Sequence, residues 1–245
     1  MSQTVLLLVS GFLTGLFLGV FLHRLASDFL EHQISKQHPW DGNPDLPSRL
    51  RQIIFLLMLP LVSGALAAWR GWSPELLSDL LLTGSLFILA VIDWESMLLD
   101  MRVVIVAIML KSAWLFVFAI EHLQQALTGL LVGAGLLYLL GIIYETLRKR
   151  RGLGEGDPAL LGLIGMWVGW PGLGPVLLVA AFSGIILGGI WLLRKNQPLL
   201  HTPVPFGPFL CLGGLLVHLL QQSGWMPWQM ELIACLLYTS DAADE

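Results

Sequence analysis

The sequence predicts an all-α, polytopic integral membrane protein of about eight transmembrane helices, with its N-terminus outside. Three observations predict this. Apolar types make up 56% of the 245 residues and charged types only 12%, about half the charged share of a soluble domain; mean hydropathy is +0.78. Apolar runs of spanning length recur along the whole chain. The basic residues also segregate to alternate loops, which orients the spans.

The runs fall at 4–23, 51–69, 75–93, 103–120, 125–146, 158–170, 174–193 and 207–222. The first has no basic residue before it and no small-residue cleavage site after it, so it reads as a retained span. The sixth is short and glycine-rich, bounded by Asp157 and Pro171. A ninth run, Met230 to Tyr238, is too short to span alone. Barrel strands would alternate apolar and polar residues, and these runs do not. Residues 1–238 therefore read as one transmembrane domain with a short cytoplasmic loop at 24–50. The acidic tail at 239–245 changes character abruptly and reads as non-native.

With the N-terminus outside, Arg24, Lys36, Arg49, Arg51, Arg102, Arg148, Lys149, Arg150, Arg151, Arg194 and Lys195 all fall on the cytoplasmic side. That is 11 of the 13 basic residues. Arg70 falls in an outside loop, and Lys111 falls within a span without a partner at helical spacing, Glu121 and Asp79 included.

The net charge of −4 argues against a nucleic-acid partner. Cys211 and Cys235 form no Cys-x-x-Cys pair, so neither a zinc knuckle nor a disulfide framework is expected. His23, His32 and His38 lack a regular ligand spacing and read as solvated loop histidines. No metal site and no cofactor are implied. Trp167, Trp170, Trp225 and Trp228 fit interfacial belts. Gly129, Gly133, Gly135, Gly184 and Gly188 fit close helix packing.

Ionisable groups at the ends of spans are functional candidates. Asp93 ends the third run, about 28 Å from its start near Pro74, at the cytoplasmic edge. Asp157, in Gly154-Glu155-Gly156-Asp157, opens the sixth run at the same edge. Two close carboxylates share a proton. One then deprotonates a water for attack on a peptide carbonyl while the other protonates the carbonyl oxygen. Gly154 and Gly156 let the backbone approach closely. Asp157 followed by Pro158 equally suits a helix N-cap and its first turn.

Four segments in order then carry a resemblance: Gly19–Leu25, closing in His23-Arg24-Leu25; Ala90-Val91-Ile92-Asp93-Trp94-Glu95; Gly152–Asp157, followed by Leu160, Leu161, Gly165, Trp167, Gly169 and Trp170; and Thr202–Leu210. Together they resemble the type IV prepilin peptidases, membrane aspartic proteases of the Gly-x-Gly-Asp kind, over about residues 10–222. The resemblance implies that Asp93 and Asp157 are the catalytic pair and that Gly154 and Gly156 support them. It puts Glu95, Asp100, Glu155, Phe206 and Gly207 on the substrate side. It implies cleavage of the leader peptide of type IV prepilins or type II secretion pseudopilins at the cytoplasmic face of a bacterial inner membrane.

The sequence departs from the family at three places. The first loop is short and lacks two Cys-x-x-Cys pairs, which argues against N-methyltransferase activity and an S-adenosylmethionine partner. Asp100 stands where Pro is usual, and Pro158-Ala159 follow the second aspartate. These changes motivate the alternative, a non-catalytic membrane partner or chaperone of pilin assembly.

Overall fold

The computed structural model describes residues 3–35, 48–149, 154–194 and 204–224, and among them the chain is all-helical. The main helices are α1 (Gln3–Ser35), α2 (Ser48–Arg70), α3 (Pro74–Ser96), α4 (Met101–Phe118), α5 (Leu123–Arg148), α6 (Asp157–Ser183), α7 (Gly189–Arg194) and α8 (Gly207–Gln222). A π-helical turn, Gly184–Gly188, joins α6 to α7. Among the described residues, five helical segments are long and apolar enough to cross a membrane, and Leu56–Arg70 and Gly207–Gln222 are shorter apolar helices. The chain is thus a multi-pass membrane protein. Much of the loop at 24–50, the run at 230–238 and the tail at 239–245 lie outside the described residues; α1 itself continues past the predicted end of the first run to Ser35.

Large apolar side chains face outward on α1, α4, α5 and α6, among them Phe17, Phe116, Leu131 and Phe182. Lipid is the solvent that accepts such a surface. Inside, packing rests on small residues, because helices in lipid gain most from close backbone approach. Gly129 lies against the Gly165 backbone and Gly133 against Leu161 and Gly162, joining α5 to α6. Gly11 and Gly15 do the same between α1 and α2, where the Ser63 hydroxyl donates to the Gly11 carbonyl at 2.9 Å. Gly135, predicted to pack, faces open space.

The predicted sixth and seventh runs are two arms of one helical segment. At Gly169 the backbone takes φ 68 and ψ 170, which is not helical and is a region open essentially to glycine. The first arm brings the Val168 carbonyl to the Gln221 side chain at 3.0 Å. The second arm starts beside the same glutamine at Gly172, passes Gly213 at Val176, and meets Phe209 at Gly184 and Gly188. It therefore runs back along α8. Asp157 and Trp191, 34 residues apart in sequence, return to the same end of the bundle.

That end also holds the C-terminus of α3 and the N-terminus of α8. The opposite end collects the C-terminus of α2, the N-terminus of α3 and the C-terminus of α8. There Trp72 donates to the Ser10 hydroxyl at 3.2 Å and Trp114 donates to the Pro74 carbonyl at 2.9 Å. Trp170 is exposed, as a belt residue should be. Trp167 is not a belt residue. Its indole points inward and donates to the Ser78 carbonyl and hydroxyl at 3.1 and 3.0 Å. Trp225 and Trp228 lie outside the described residues.

Candidate active site

Asp93 closes the last full turn of α3. Leu89, Ile92 and other apolar residues bury that helix in the core, so the carboxylate is only 6% exposed. The helix stops at Met97, whose φ of 51 is left-handed and whose N–H donates to the Asp93 carbonyl. Asp157 opens α6 and is 4% exposed. Gly156, not Asp157, holds the N-cap position, and Asp157 is the first helical residue. The capping role open to Asp157 from sequence is thus not the one it takes.

Each carboxylate is held by one glycine amide. Gly207 N–H donates to Asp93 Oδ2 at 3.0 Å, and Gly154 N–H donates to Asp157 Oδ2 at 3.0 Å. Glycine is required at 207, because a Cβ there would sit 2.5 Å from Asp93 Oδ2. Gly156 presses directly on the Leu99 side chain, seating the Gly154–Gly156 turn on the α3–α4 connection. Asp93 lies within electrostatic reach of Asp157. Cys211, one turn into α8 and buried, lies within reach of both. Neither aspartate pairs with a cation among the described residues. Its second oxygen is left for water, a proton or a substrate carbonyl.

The other sequence candidates divide. Asp100 is buried and caps α4, accepting the Arg102 N–H at 2.9 Å. Glu95 is half-buried in the last turn of α3, and Glu155 is exposed in the turn before Asp157. Phe206 takes the N-cap position of α8 and packs partly against the core. Gly207 stands at the carboxylate itself. Trp94 meets Trp191 and Phe209 edge-on at 5.9 and 6.5 Å between ring centroids, closing the wall beside Asp93. Sequence reasoning named Gly207 as a candidate but missed the bond its amide makes, because that bond reaches across the bundle to Asp93. No group of three or more His, Cys, Asp or Glu residues that could hold a metal ion occurs among the described residues. Gly152, Leu153, Thr202 and Pro203 lie outside those residues.

Residues 80–191, which include Asp93 and Asp157, match the sequence model of the type IV leader peptidase family. Three relatives named prepilin leader peptidase/N-methyltransferase extend the likeness. The Pseudomonas putida protein is 34% identical over 148 residues, 60% of this chain and 51% of the relative. The Aeromonas hydrophila protein is 31% identical over 170 residues, 69% and 57% of the two chains. The Xanthomonas campestris protein is 37% identical over 94 residues, 38% and 32% of them. The chain spans about half the length of the curated relatives it matches. No solved structure matches it. The leader peptidase segment begins in the middle of α3 and ends in α7, so it contains both arms of α6 and both aspartates.

Proposed function

We propose that this protein is a membrane aspartic endopeptidase that removes the leader peptide of type IV prepilins or type II secretion pseudopilins. The observation that carries the reading is a pair of buried carboxylates at one end of the bundle, each tied to a glycine amide and neither paired with a cation among the described residues. Structural carboxylates in membranes pair with cations or caps; an unpaired couple is the arrangement acid–base chemistry needs.

Asp93 and Asp157 hold one proton between them. The ionised member takes a proton from water as the oxygen attacks the scissile carbonyl. The protonated member donates to the carbonyl oxygen, and a proton then passes to the leaving amine. The glycine amides fix both carboxylates without using their second oxygens. The backbone at 207 and 154 carries no side chain, so an extended peptide can approach.

The chain crosses a bacterial inner membrane eight times with its N-terminus outside, counting both arms at Gly169 and the shorter helices α2 and α8. The aspartates then face the cytoplasm, where most basic residues lie, and a substrate with an apolar helix arrives by lateral diffusion. The short first loop without Cys-x-x-Cys pairs favours cleavage without N-methylation, so no S-adenosylmethionine partner is assigned.

The test is cleavage of a prepilin in membranes that contain the unmutated chain. Release of the leader peptide supports the peptidase. Intact precursor beside folded protein would favour the non-catalytic partner that Asp100 and Ala159 suggest.

A further inference from the structure

A groove of about 890 Å³ opens between α1, α3 and α4 in the aspartate half of the bundle. Its α1 wall runs from Leu18 to Asp28 and its α4 wall from Met101 to Leu110, with Gly84, Ser85 and Ile88 of α3 as the floor. Phe21, Val106 and Leu110 in the walls are exposed, so the groove opens sideways onto the lipid-facing surface. The Ser85 hydroxyl donates to the Leu81 carbonyl at 2.6 Å and adds no unmet polar group to the floor. Ligand clefts have this size, about 300–1,000 Å³, and this make-up, apolar walls with a few placed polar groups.

Depth restricts the occupant. Leu18 and Asp28 are ten residues apart and Arg102 and Leu110 eight, about 15 and 12 Å along their axes. The hydrocarbon core is about 30 Å thick, so the groove is one leaflet deep. That depth suits acyl chains and is half of what a spanning helix fills. The groove is also turned away from the catalytic carboxylate. Gly84 and Asp93 are nine residues apart, and at about 3.6 residues per turn they point to opposite sides of α3. Asp93 points to Gly207 on α8, so a peptide seated in the groove would lie behind α3.

Charge restricts the head group. The charged residues of the lining, Asp28, Asp100 and Arg102, all stand at the aspartate end. Asp100 is buried and caps α4. Asp28 and Arg102 are exposed, and neither forms an ion pair among the described residues, with the other included. An unpaired anion on α1 and an unpaired cation on α4 match a head group that carries both signs. A guanidinium binds phosphate through paired N–H bonds, and a carboxylate accepts from an ammonium. A purely anionic head group would meet two carboxylates against one guanidinium.

We infer that this groove binds one phospholipid of the phosphatidylethanolamine type, with its acyl chains between α1 and α4, its phosphate on Arg102 and its ammonium on Asp28. Leu98 and Leu99 line the same end, and Leu99 seats Gly156. The bound lipid therefore braces the connection that supports the Asp157 turn. The site does not depend on the cleavage reading.

The thermal stability of the purified protein in nonionic detergent is measured against dihexanoyl phosphatidylethanolamine and dihexanoyl phosphatidylglycerol at constant ionic strength. A ligand that binds only the folded state raises Tm in a saturable way. Phosphatidylethanolamine should saturate the shift at a concentration at least about tenfold below phosphatidylglycerol, as one charge-assisted hydrogen bond allows. Asp28→Asn and Arg102→Gln, both at exposed positions, should each weaken the phosphatidylethanolamine response about tenfold. Val106→Trp, which fills the groove and leaves its charges in place, should weaken it as well. No saturable shift with phosphatidylethanolamine overturns the inference, and a shift with an apolar helical peptide in its place would give the groove to the substrate. An equal response to the two lipids overturns it, and so does an unchanged response in folded Asp28→Asn or Val106→Trp protein.

Discussion

Helix α3 carries two buried carboxylates in opposite circumstances. Asp79 near its start and Asp93 near its end are 14 residues apart, about 21 Å along the axis. Asp79 has a guanidinium and an imidazole on its two oxygens. Asp93 has one backbone amide and, within electrostatic reach, another carboxylate. Burial is nearly equal, so it does not separate the roles; the partners do. A carboxylate whose oxygens are taken by a guanidinium and an imidazole ties α2, α3 and α8 together. A carboxylate left with a free oxygen beside a second acid is available for proton transfer.

The comparison breaks most readily at the aspartate pair. Asn at position 93 or 157 should lower leader cleavage by about 10⁴-fold, read as processed prepilin per folded enzyme in membranes. Neither change should lower stability, because each removes an unpaired buried charge. Asp79→Asn should do the reverse and cost about 3 kcal/mol, since it leaves the Arg70 guanidinium without its counter-charge and puts an amide NH₂ where one carboxylate oxygen accepted. Thermal unfolding in detergent measures it, and an unchanged midpoint would show that the ion pair holds nothing together.

Gly207→Ala comes next. Its Cβ would displace the Asp93 carboxylate, and such a misplacement lowers turnover about 10²-fold with the fold retained. Initial rates on a synthetic leader peptide would show it. The smallest effect belongs to Asp100. Asp100→Ala should cost about 1 kcal/mol as a lost helix cap, and Asp100→Ser should restore it with KM unchanged. A raised KM in the Ser variant would give Asp100 the substrate-side role its position in the motif suggests.

Asp93 and Asp157 were each legible as candidates because charges are scarce in an apolar chain and the Gly154–Asp157 motif is local; their pairing came only from the family resemblance, since whether α3 and α6 bring them together is not written in the sequence. The break between the sixth and seventh runs was legible for the same reason: Gly169 and Pro171 are local signals. What escaped was contact between helices. Lys111 and Asp79 were tested against helical spacing, but they stand on α4 and α3, where spacing within one helix carries no information. The Gly207 amide meets Asp93 across 114 residues. Trp167 looked like a belt residue because it lies near a span end, yet its N–H finds Ser78 inside the bundle. An aromatic with a polar handle follows its partner.

The central claim is that Asp93 and Asp157 form one unit. With Cys211 and Cys235 replaced by Ser, cysteines introduced at 93 and 157 can be treated in membranes with a short bifunctional thiol reagent. The products are then read by mass spectrometry. The account predicts an intramolecular link between the two positions. Two separately modified cysteines in folded protein, with no link between them, would contradict it.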